Sequence, residues 1–387
     1  MKLRTFRFSL LQGFYWMGAC LVYSYTERLL LAYGFATGTI GVILSAAYLS
    51  AMVLQPLLAA AADRERRVTL RSAITVSALL AAAFAVAARF STGALVVFAV
   101  FSGALSSVTL TVQPLVNAVG FRYINRGLDL DYSFARGVAS VVYALSSLLF
   151  GALAAWRIPS LLWVFAAAQI GLFFCALFFA PRRDGIAVRE TADGSLFGIV
   201  RRYPAFLLFC VGNLVLVVPH MVLNCYLASI TKVTGGDMSV MIAIAAIAEF
   251  PAMTAYSHIR KRIPDRVLLV ASAAVYLLKT GLLLAAAYLS IGAWAAYVSS
   301  ALQMLCYAIF VPAASYYAND CMRENDRVKG QMLLTEAGLA AGVFSMLLGG
   351  FSIEHLGVGV TLILCEVLVA AGVFVVWLGV RKGKKKA

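Results

Sequence analysis

Apolar runs of about 20 residues or more follow one another from one end of the chain to the other. A helix of that length crosses the hydrocarbon core of a bilayer, which is about 30 Å thick. The twelve runs lie at roughly 8–33, 38–62, 72–90, 94–118, 132–154, 160–180, 204–231, 237–259, 267–289, 292–318, 330–354 and 356–380. The pattern therefore predicts an all-α integral membrane protein with twelve transmembrane helices.

The composition excludes a water-soluble domain. Hydrophobic residues make up 63% of the 387 residues and charged residues only 13%, whereas soluble domains are about 45–50% apolar. So few charges cannot cover the surface of a soluble protein of this length. We expect a multi-pass protein whose first partner is the lipid bilayer.

The cationic residues indicate how the chain is oriented. Of 32 Lys and Arg residues, 26 lie in alternate gaps between the apolar runs. Short cationic loops stay in the cytoplasm, so this pattern and the even number of spans predict that both termini are cytoplasmic. The net charge of +15 is dispersed over these gaps, which favours an orientation signal over a nucleic-acid partner. We expect the protein in the cytoplasmic membrane of a bacterial cell.

The longest polar interruption divides the chain into two similar halves. Residues 181–203 have six apolar runs before them and six after them, which predicts one six-helix bundle at 1–180 and a second, with a basic tail, at 204–387. Prolines recur at matched places in the halves, for example Pro56 in the second run and Pro251 in the eighth. Two halves related by an axis along the membrane normal have this layout.

Charged residues inside the apolar runs are candidates for function. A charge at the centre of a bilayer costs at least about 2.5–3.5 kcal/mol, so each needs a partner, water or a role. Seven residues qualify: Glu27, Arg28, Arg136, Glu249, Lys279, Glu336 and Glu366.

Glu249 and Lys279 occur at matched depth in consecutive spans. At about 1.5 Å per residue they lie roughly 15 and 18 Å from the cytoplasmic ends of the eighth and ninth spans, so we expect them to be neighbours. One interpretation is a buried ion pair that holds the two helices together. The other is a carboxylate whose affinity for a proton changes with conformation, which we favour because apolar packing would hold the helices at lower cost.

Arg136 lies about 8 Å inside the fifth span at about 1.5 Å per residue. Its side chain either extends back to the interface or lines a binding site. Tyr143 is two turns further along the same face, and a guanidinium with an aromatic ring suits a hydroxylated or anionic ligand. Asn117, three residues after Pro114 in the fourth span, is a candidate for a further polar contact.

The remaining charges allow fewer inferences. Glu27 and Arg28 are consecutive and point about 100° apart, so at most one faces a central path squarely; they either satisfy other helices or line a cavity. Glu336 lies near an interface, whereas Glu366 lies near the midplane with no evident partner. The three histidines have no ligand spacing, so we expect no metal site and no cofactor.

Several short blocks resemble the major facilitator superfamily, and within it the oligosaccharide:proton symporter branch typified by lactose permease. They are Phe14-Tyr15-Trp16-Met17-Gly18, Gln55-Pro56-Leu57-Leu58 with Asp63-Arg64, Asp131 to Gly137, and Ile247-Ala248-Glu249. The resemblance covers essentially all twelve runs and implies two six-helix bundles that rock around a midplane cavity.

The resemblance also implies roles for single residues. It implies that Arg136 contacts sugar hydroxyls and Tyr143 stacks on the sugar, with Asn117 in place of an acidic partner. It assigns Glu249 to the link between binding and protonation and places Lys279 where the family has an Arg implied in proton release. A conformational-switch role follows for Asp63 and Arg64.

Tyr307 stands where the family has a histidine, and Phe310 where it has its main proton-carrying glutamate. Either the proton site has moved to Glu249, Glu336 or Glu366, or this protein is not coupled to protons.

We therefore expect a monomeric transporter, not an enzyme, with a small-molecule substrate and protons as partners. The first interpretation is proton-coupled uptake of a small hydroxylated solute, a sugar or a nucleoside. The alternatives are proton-driven efflux of drugs or metabolites, and a lipid-moving or transport-dead member of the fold. The sequence contains no GxSxG motif, no HExxH motif and no histidine cluster that would indicate catalysis.

Overall fold

The computed structural model describes residues 3–63, 69–180, 201–289, 291–323 and 326–382, without the side chains of 59–63 and 328. Every regular element in these ranges is helical. They are α1 (Leu3–Cys20), a π-helical turn (Leu21–Tyr25), α2 (Thr26–Ala32), α3 (Thr37–Asp63), α4 (Leu70–Phe90), α5 (Leu95–Asn125), α6 (Tyr132–Trp156), α7 (Ser160–Phe179), α8 (Pro204–Cys225), α9 (Leu227–Thr234), α10 (Met238–Ile259), α11 (Asp265–Leu289), α12 (Trp294–Ala301), a 3₁₀ turn (Leu302–Met304), α13 (Tyr307–Cys321) and α14 (Arg327–Lys382).

Ten candidate membrane spans occur in the described ranges, judged by length and composition. The last runs from Lys329 to Lys382 and contains a break at Gly357, where φ is 82° and ψ is 166°. The first predicted run, 8–33, is divided among α1, the π-helical turn and α2. The prediction of a multi-pass helical membrane protein is confirmed, and the count of twelve spans stays a prediction.

Unit 1 comprises Met1–Val188 together with Met238–Ile247. Helix α4 shows how this unit packs, because six of its ten buried residues are alanines. It lies against α5 and α7. Small side chains let helix backbones approach closely, which is how helices associate where lipid removes most of the hydrophobic driving force.

The proline in α5 leaves one backbone carbonyl group without a hydrogen bond inside the helix, and a side chain of another helix supplies that bond. Pro114 has no N–H to donate, so the carbonyl oxygen of Leu110, four residues earlier, loses its partner within the helix. The side chain of Gln55, buried on α3, donates to that oxygen at 3.0 Å. The Gln55 side chain therefore helps to join α3 to α5. Pro114 is tolerated inside the span because this neighbouring helix satisfies the carbonyl group that the proline leaves without a partner.

Unit 2 comprises Arg189–Asp237 and Ala248–Ala387. Its helices α8 and α14 meet along a glycine seam. A Cβ atom at Gly372 would lie 2.8 Å from the backbone nitrogen of Leu216, and one at Gly379 would lie 2.7 Å from that of Phe209. Each glycine is therefore required for the close approach of the two backbones.

Unit 2 has two ion pairs at the ends of its helices, and in each pair one residue also contacts a tyrosine. Arg260 bonds Asp265 at 2.9 Å and lies 3.6 Å from the ring centre of Tyr316. The hydrogen bond to Asp265 is the main reason that the pKa of Arg260 is raised. In the second pair Asp326 accepts from Tyr203 at 2.8 Å and from Arg202 at 2.9 Å.

The Tyr203 hydrogen bond and then that from Arg202 lower the pKa of Asp326 below its ordinary value, although desolvation opposes this shift. The ionised forms of Arg260 and Asp326 are therefore stabilised.

Candidate functional site

Arg136 is the centre of a polar and aromatic cluster in unit 1. Its guanidinium carbon lies 4.2 Å from the centre of the Trp16 ring, and Nη1 donates to Oγ of Ser140 at 3.4 Å. Ser140 is one turn further along α6. Side chains normally tilt towards the N-terminus of their helix. The contact with Ser140 instead directs this guanidinium towards the C-terminal end of α6. This contact favours the interpretation in which Arg136 lines a binding site over the one in which it extends back to the interface.

Trp16 connects Arg136 to Asn117 through a glutamine. The indole Nε1 donates to Oε1 of Gln12 at 3.2 Å, and Nε2 of Gln12 donates to Oδ1 of Asn117 at 3.0 Å. Gln12 has no exposed surface. Because both polar atoms of its amide are engaged, Gln12 fixes the orientation of the indole and of the Asn117 side chain.

Two tyrosines complete the cluster. Tyr143 contacts Trp16 edge-on, with ring centres 5.9 Å apart, and its hydroxyl is 2.8 Å from Oγ of Ser24. Tyr23 stacks on Trp16 with ring centres 6.1 Å apart and planes at 22°, and it donates to Gln113 at 3.1 Å. We call Gln12, Trp16, Tyr23, Asn117, Arg136 and Tyr143 the Arg136 cluster.

The structure thus brings together three residues predicted for binding, Asn117, Arg136 and Tyr143. Gln12 was missed, although its spacing of four residues from Trp16 on α1 places both on one face. Ser24 was missed because it lies on the π-helical turn, which departs from the helical period and has no signal in the sequence. Such turns occur frequently at functional sites.

Glu27 and Arg28 lie on α2, directly after the π-helical turn. Glu27 has no exposed surface, whereas Arg28 is half-buried. Their different burial agrees with the expectation that the two side chains point in different directions.

Glu249 and Lys279 of unit 2 are joined through a third side chain. Nζ of Lys279 donates to Oε1 of Gln303, and Nε2 of Gln303 donates to Oε1 of Glu249 at 3.0 Å. Lys279 and Gln303 are each 4% exposed, and Glu249 is half-buried. We call these three residues the Lys279 chain.

Gln303 was missed by the sequence reasoning, since a glutamine in an apolar run carries no charge to draw attention. It lies on the 3₁₀ turn, four residues after Ser299, whose hydroxyl donates to the carbonyl oxygen of Lys279 at 2.8 Å. Ser299 and Gln303 therefore form hydrogen bonds with the backbone and with the ammonium group of Lys279, respectively.

The other predicted proton carriers lie apart from this chain. Glu366 on α14 accepts a hydrogen bond from Thr280, so the expectation that it has no partner was wrong. Glu336, also on α14, is half-buried and forms no side-chain hydrogen bond or ion pair with the residues that the structure describes.

Tyr307 lies in an aromatic group that the sequence reasoning did not predict. Its ring stacks on His220 at 4.8 Å and 18°, and Tyr276 contacts the same imidazole edge-on at 5.5 Å. Asn224 is 3.0 Å from Nε2 of His220, and the buried Nδ1 has no hydrogen-bond partner among the described atoms. His220 is therefore a polar residue held mainly by aromatic rings.

Some predicted features fall outside the described parts of the chain. Arg64, the side chain of Asp63, most of the loop at 181–203 and the end of the basic tail are among them. Among the described residues, no three His, Cys, Asp or Glu side chains are placed to hold a metal ion.

The sequence matches the model of the MFS_1 like family over residues 7–364. The chain belongs to this family, so the prediction of a major facilitator transporter is confirmed, and with it the class of membrane transporter rather than enzyme. The lactose permease branch stays a prediction. A search of curated proteins found no significant sequence match.

Solved structures of the same fold agree with this assignment. A point mutant of the nucleoside transporter NupG is 14% identical, with a TM-score of 0.81 over 99% of both chains. A D-xylose-proton symporter is 12% identical, with a TM-score of 0.77 over 96% of both chains. The inward-open xylose transporter XylE from E. coli is 13% identical, with a TM-score of 0.74 over 95% of this chain and 94% of that one. Identities this low establish the fold alone.

Proposed function

We propose that the protein is a proton-coupled secondary active transporter that takes up a small hydroxylated solute, a sugar or a nucleoside. The observation that supports it most is the Lys279 chain, because it joins a carboxylate to a buried ammonium inside the predicted spans. Similarity in fold to a nucleoside transporter and a xylose-proton symporter supports the same solute class.

The coupling we propose is a charge balance. Ionised Glu249 offsets the charge of Lys279 through the amide of Gln303, and a proton on Glu249 removes that offset. Charges inside a membrane protein are costly unless they are paired. Proton binding would therefore favour a conformation in which Lys279 finds other acceptors, and return of the carboxylate charge would favour the present arrangement.

The Arg136 cluster is the proposed solute site of unit 1. It combines hydrogen-bonding groups with the faces of Trp16 and Tyr143, and amphipathic ligands such as sugars and nucleosides present hydroxyls and an apolar face to such surfaces. Trp16 and Gln12 join the predicted binding residues in this proposal.

The test is uptake into proteoliposomes of radiolabelled D-xylose and uridine under an imposed pH gradient. We expect gradient-driven accumulation of at least one solute by the unmodified protein. Glu249→Gln removes the group that binds the proton, so it is expected to abolish accumulation and to retain exchange of solute across the membrane without a gradient.

Glu336→Gln and Glu366→Gln are the matched comparisons, since both are half-buried carboxylates on another helix. Accumulation that survives Glu249→Gln but is lost in either of these variants assigns the coupling to that other carboxylate. Accumulation that survives all three contradicts proton coupling through these residues.

We also propose that the chain crosses the membrane twelve times as a monomer, with both termini in the cytoplasm of a bacterium. The 56 residues of α14 would form a helix of about 84 Å if they were straight, far longer than a bilayer is thick, so the break at Gly357 supports two crossings. Fluorescent protein fused to the C-terminus should be fluorescent in cells, whereas periplasmic alkaline phosphatase fused there should be inactive. The reverse result contradicts this topology.

A further inference from the structure

Arg136 is a cation within a predicted span that forms no ion pair with any residue that the structure describes. The described carboxylates of unit 1 are Glu27, Asp129 and Asp131. Asp131 is engaged at the start of α6, where Oδ1 accepts from the backbone nitrogen of Phe134 at 2.9 Å. None of these three carboxylates forms an ion pair with Arg136.

The contacts that Arg136 does make leave most of its hydrogen-bonding capacity unused. A guanidinium has five N–H donors, and one of them bonds Ser140 at 3.4 Å. The Trp16 ring covers one face of the group at 4.2 Å, which stabilises the charge without accepting an in-plane hydrogen bond. Arg136 is half-buried, so part of it is still open to a ligand.

The neighbouring amides also leave a donor free. Asn117 accepts from Gln12 through Oδ1, and Gln12 in turn accepts from Trp16. The chain of bonds uses the oxygen atoms of both amides. What remains for a ligand is the amide N–H₂ of Asn117 and the N–H groups of Arg136, and these groups bind oxygen acceptors.

We infer that the solute is a hydroxylated monoanion, whose single carboxylate is bound by Arg136 while its hydroxyls contact the rest of the Arg136 cluster. The inference rests on the proposed function and adds the charge of the solute to it. A planar guanidinium matches a carboxylate in a bidentate arrangement. A cation in the low-dielectric interior of a membrane protein is stabilised most by an opposite charge.

The Lys279 chain makes the contrast that supports this inference. Lys279 is linked through Gln303 to Glu249, so its charge has an acid in the same set of hydrogen bonds. Arg136 is linked through Trp16 and Gln12 to a neutral amide. Only the first of the two sets already contains its counter-charge.

Binding to the full-length protein in detergent, measured by isothermal titration calorimetry, tests the inference with matched pairs of probes. The pairs are D-glucuronate with D-glucose, and orotidine with uridine, which differ within each pair chiefly by one carboxylate. We expect the acid of at least one pair to bind at least about tenfold more tightly than its neutral partner, because hydrogen bonds to charged groups are the strong ones.

Two variants assign the preference to the cluster. Arg136→Gln is expected to weaken binding of the acid by about tenfold to a hundredfold and to weaken binding of the neutral partner less, so that the preference for the acid falls. Asn117→Asp adds a carboxylate to the cluster and should also weaken the acid more than the neutral partner. Arg136→Lys keeps the charge but not the planar fork, so we expect an intermediate loss, and it replaces Arg136→Gln if that variant does not fold.

The possible failures are distinguishable. If the neutral probe binds as tightly as its acid, or if Arg136→Gln weakens both equally, the solute is not recognised by its charge, and the proposed transport of sugars or nucleosides still stands. If a folded protein binds none of the four probes, the proposed solute class is wrong and the inference fails with it.

Discussion

The two units hold a buried cation in opposite ways. In unit 1, Arg136 lies against the ring of Trp16, and the hydrogen bonds that follow lead to the neutral side chain of Asn117. In unit 2, Lys279 is 4% exposed, and its hydrogen bonds lead through Gln303 to the carboxylate of Glu249. The first cation has no acid among the described residues, whereas the second has one in its own set of bonds.

This difference suggests a division of roles. A cation that already has its counter-charge responds when that counter-charge is protonated, so the Lys279 chain suits ion coupling. A cation that has none responds to a ligand that supplies one, so the Arg136 cluster suits binding. Both sets lie beside a departure from regular α-helix, the π-helical turn at Leu21–Tyr25 and the 3₁₀ turn at Leu302–Met304. Such departures often mark functional segments.

The largest effect is expected from removing Lys279, in comparison with removing Arg136. Lys279→Met removes the cation to which Glu249 is linked through Gln303, and removing one partner of a buried pair costs up to about 3–5 kcal/mol. Arg136→Met removes a cation–π contact of about 0.5–2 kcal/mol and also an uncompensated charge, so the two effects offset each other. Unfolding followed by thermal stability or by titration with denaturing detergent measures both variants.

The control is the double variant Glu249→Gln with Lys279→Met, which removes both charges and should recover part of the lost stability. Equal destabilisation by Lys279→Met and Arg136→Met would contradict the proposed contrast between the two cations.

The next effect concerns the amide that joins the Lys279 chain. Gln303→Leu keeps a similar volume but leaves both Lys279 and Glu249 without a bond that they now make. An unsatisfied buried polar group costs about 1–3 kcal/mol, and more when it is charged. We expect lower thermal stability together with impaired gradient-driven accumulation, measured in detergent and in proteoliposomes.

Gln303→Glu is the matched variant, because it replaces the amide by a carboxylate that bonds Lys279 but repels Glu249. If it transports as well as the unmodified protein, the amide does not matter to the charge balance.

A smaller effect is expected at Trp16, where ring and N–H contribute separately. Trp16→Phe keeps an aromatic face for Arg136 but loses the bond to Gln12, worth about 0.5–1.5 kcal/mol. Trp16→Leu loses the cation–π contact as well. We expect binding of an acidic probe such as D-glucuronate to be weakened by Trp16→Phe and weakened further by Trp16→Leu. An equal effect of both variants would show that the ring does not stabilise the guanidinium.

The smallest effect on stability is expected from Asp326, which forms an ion pair with Arg202 outside the predicted spans. Its folded-state pKa is lowered, first by Tyr203 and then by Arg202, so the stability it contributes is present above the unfolded pKa of about 3.9 and is lost as the pH falls through the lower folded value. Because the Arg202 side chain is 54% exposed, we expect about 1 kcal/mol or less.

Thermal unfolding from pH 6 to pH 3 compares the unmodified protein with Asp326→Asn. The stability difference between them should shrink below about pH 4. A difference that is constant over the whole range would show that the carboxylate charge does not act there.

Parts of the site were predictable because charge is conspicuous in an apolar sequence. The matched depth of Glu249 and Lys279 predicted that they are neighbours, and the spacing of Arg136 and Tyr143 predicted a shared face. Gln12, Gln303 and His220 were not predicted, because a neutral polar side chain in a span has no energetic cost large enough to mark it. The partner of Glu366 was missed for the same reason, since Thr280 is an ordinary residue in a membrane helix.

By itself the sequence determined that the protein is a helical membrane protein, because long apolar runs with few charges have one stable environment. It also determined which cations break the pattern. Only the tertiary structure decided how those cations are held, one by a ring and one by an amide linked to an acid. That choice depends on side chains from helices far apart in the chain meeting within about 3 Å, and no period or composition along a single helix carries this information.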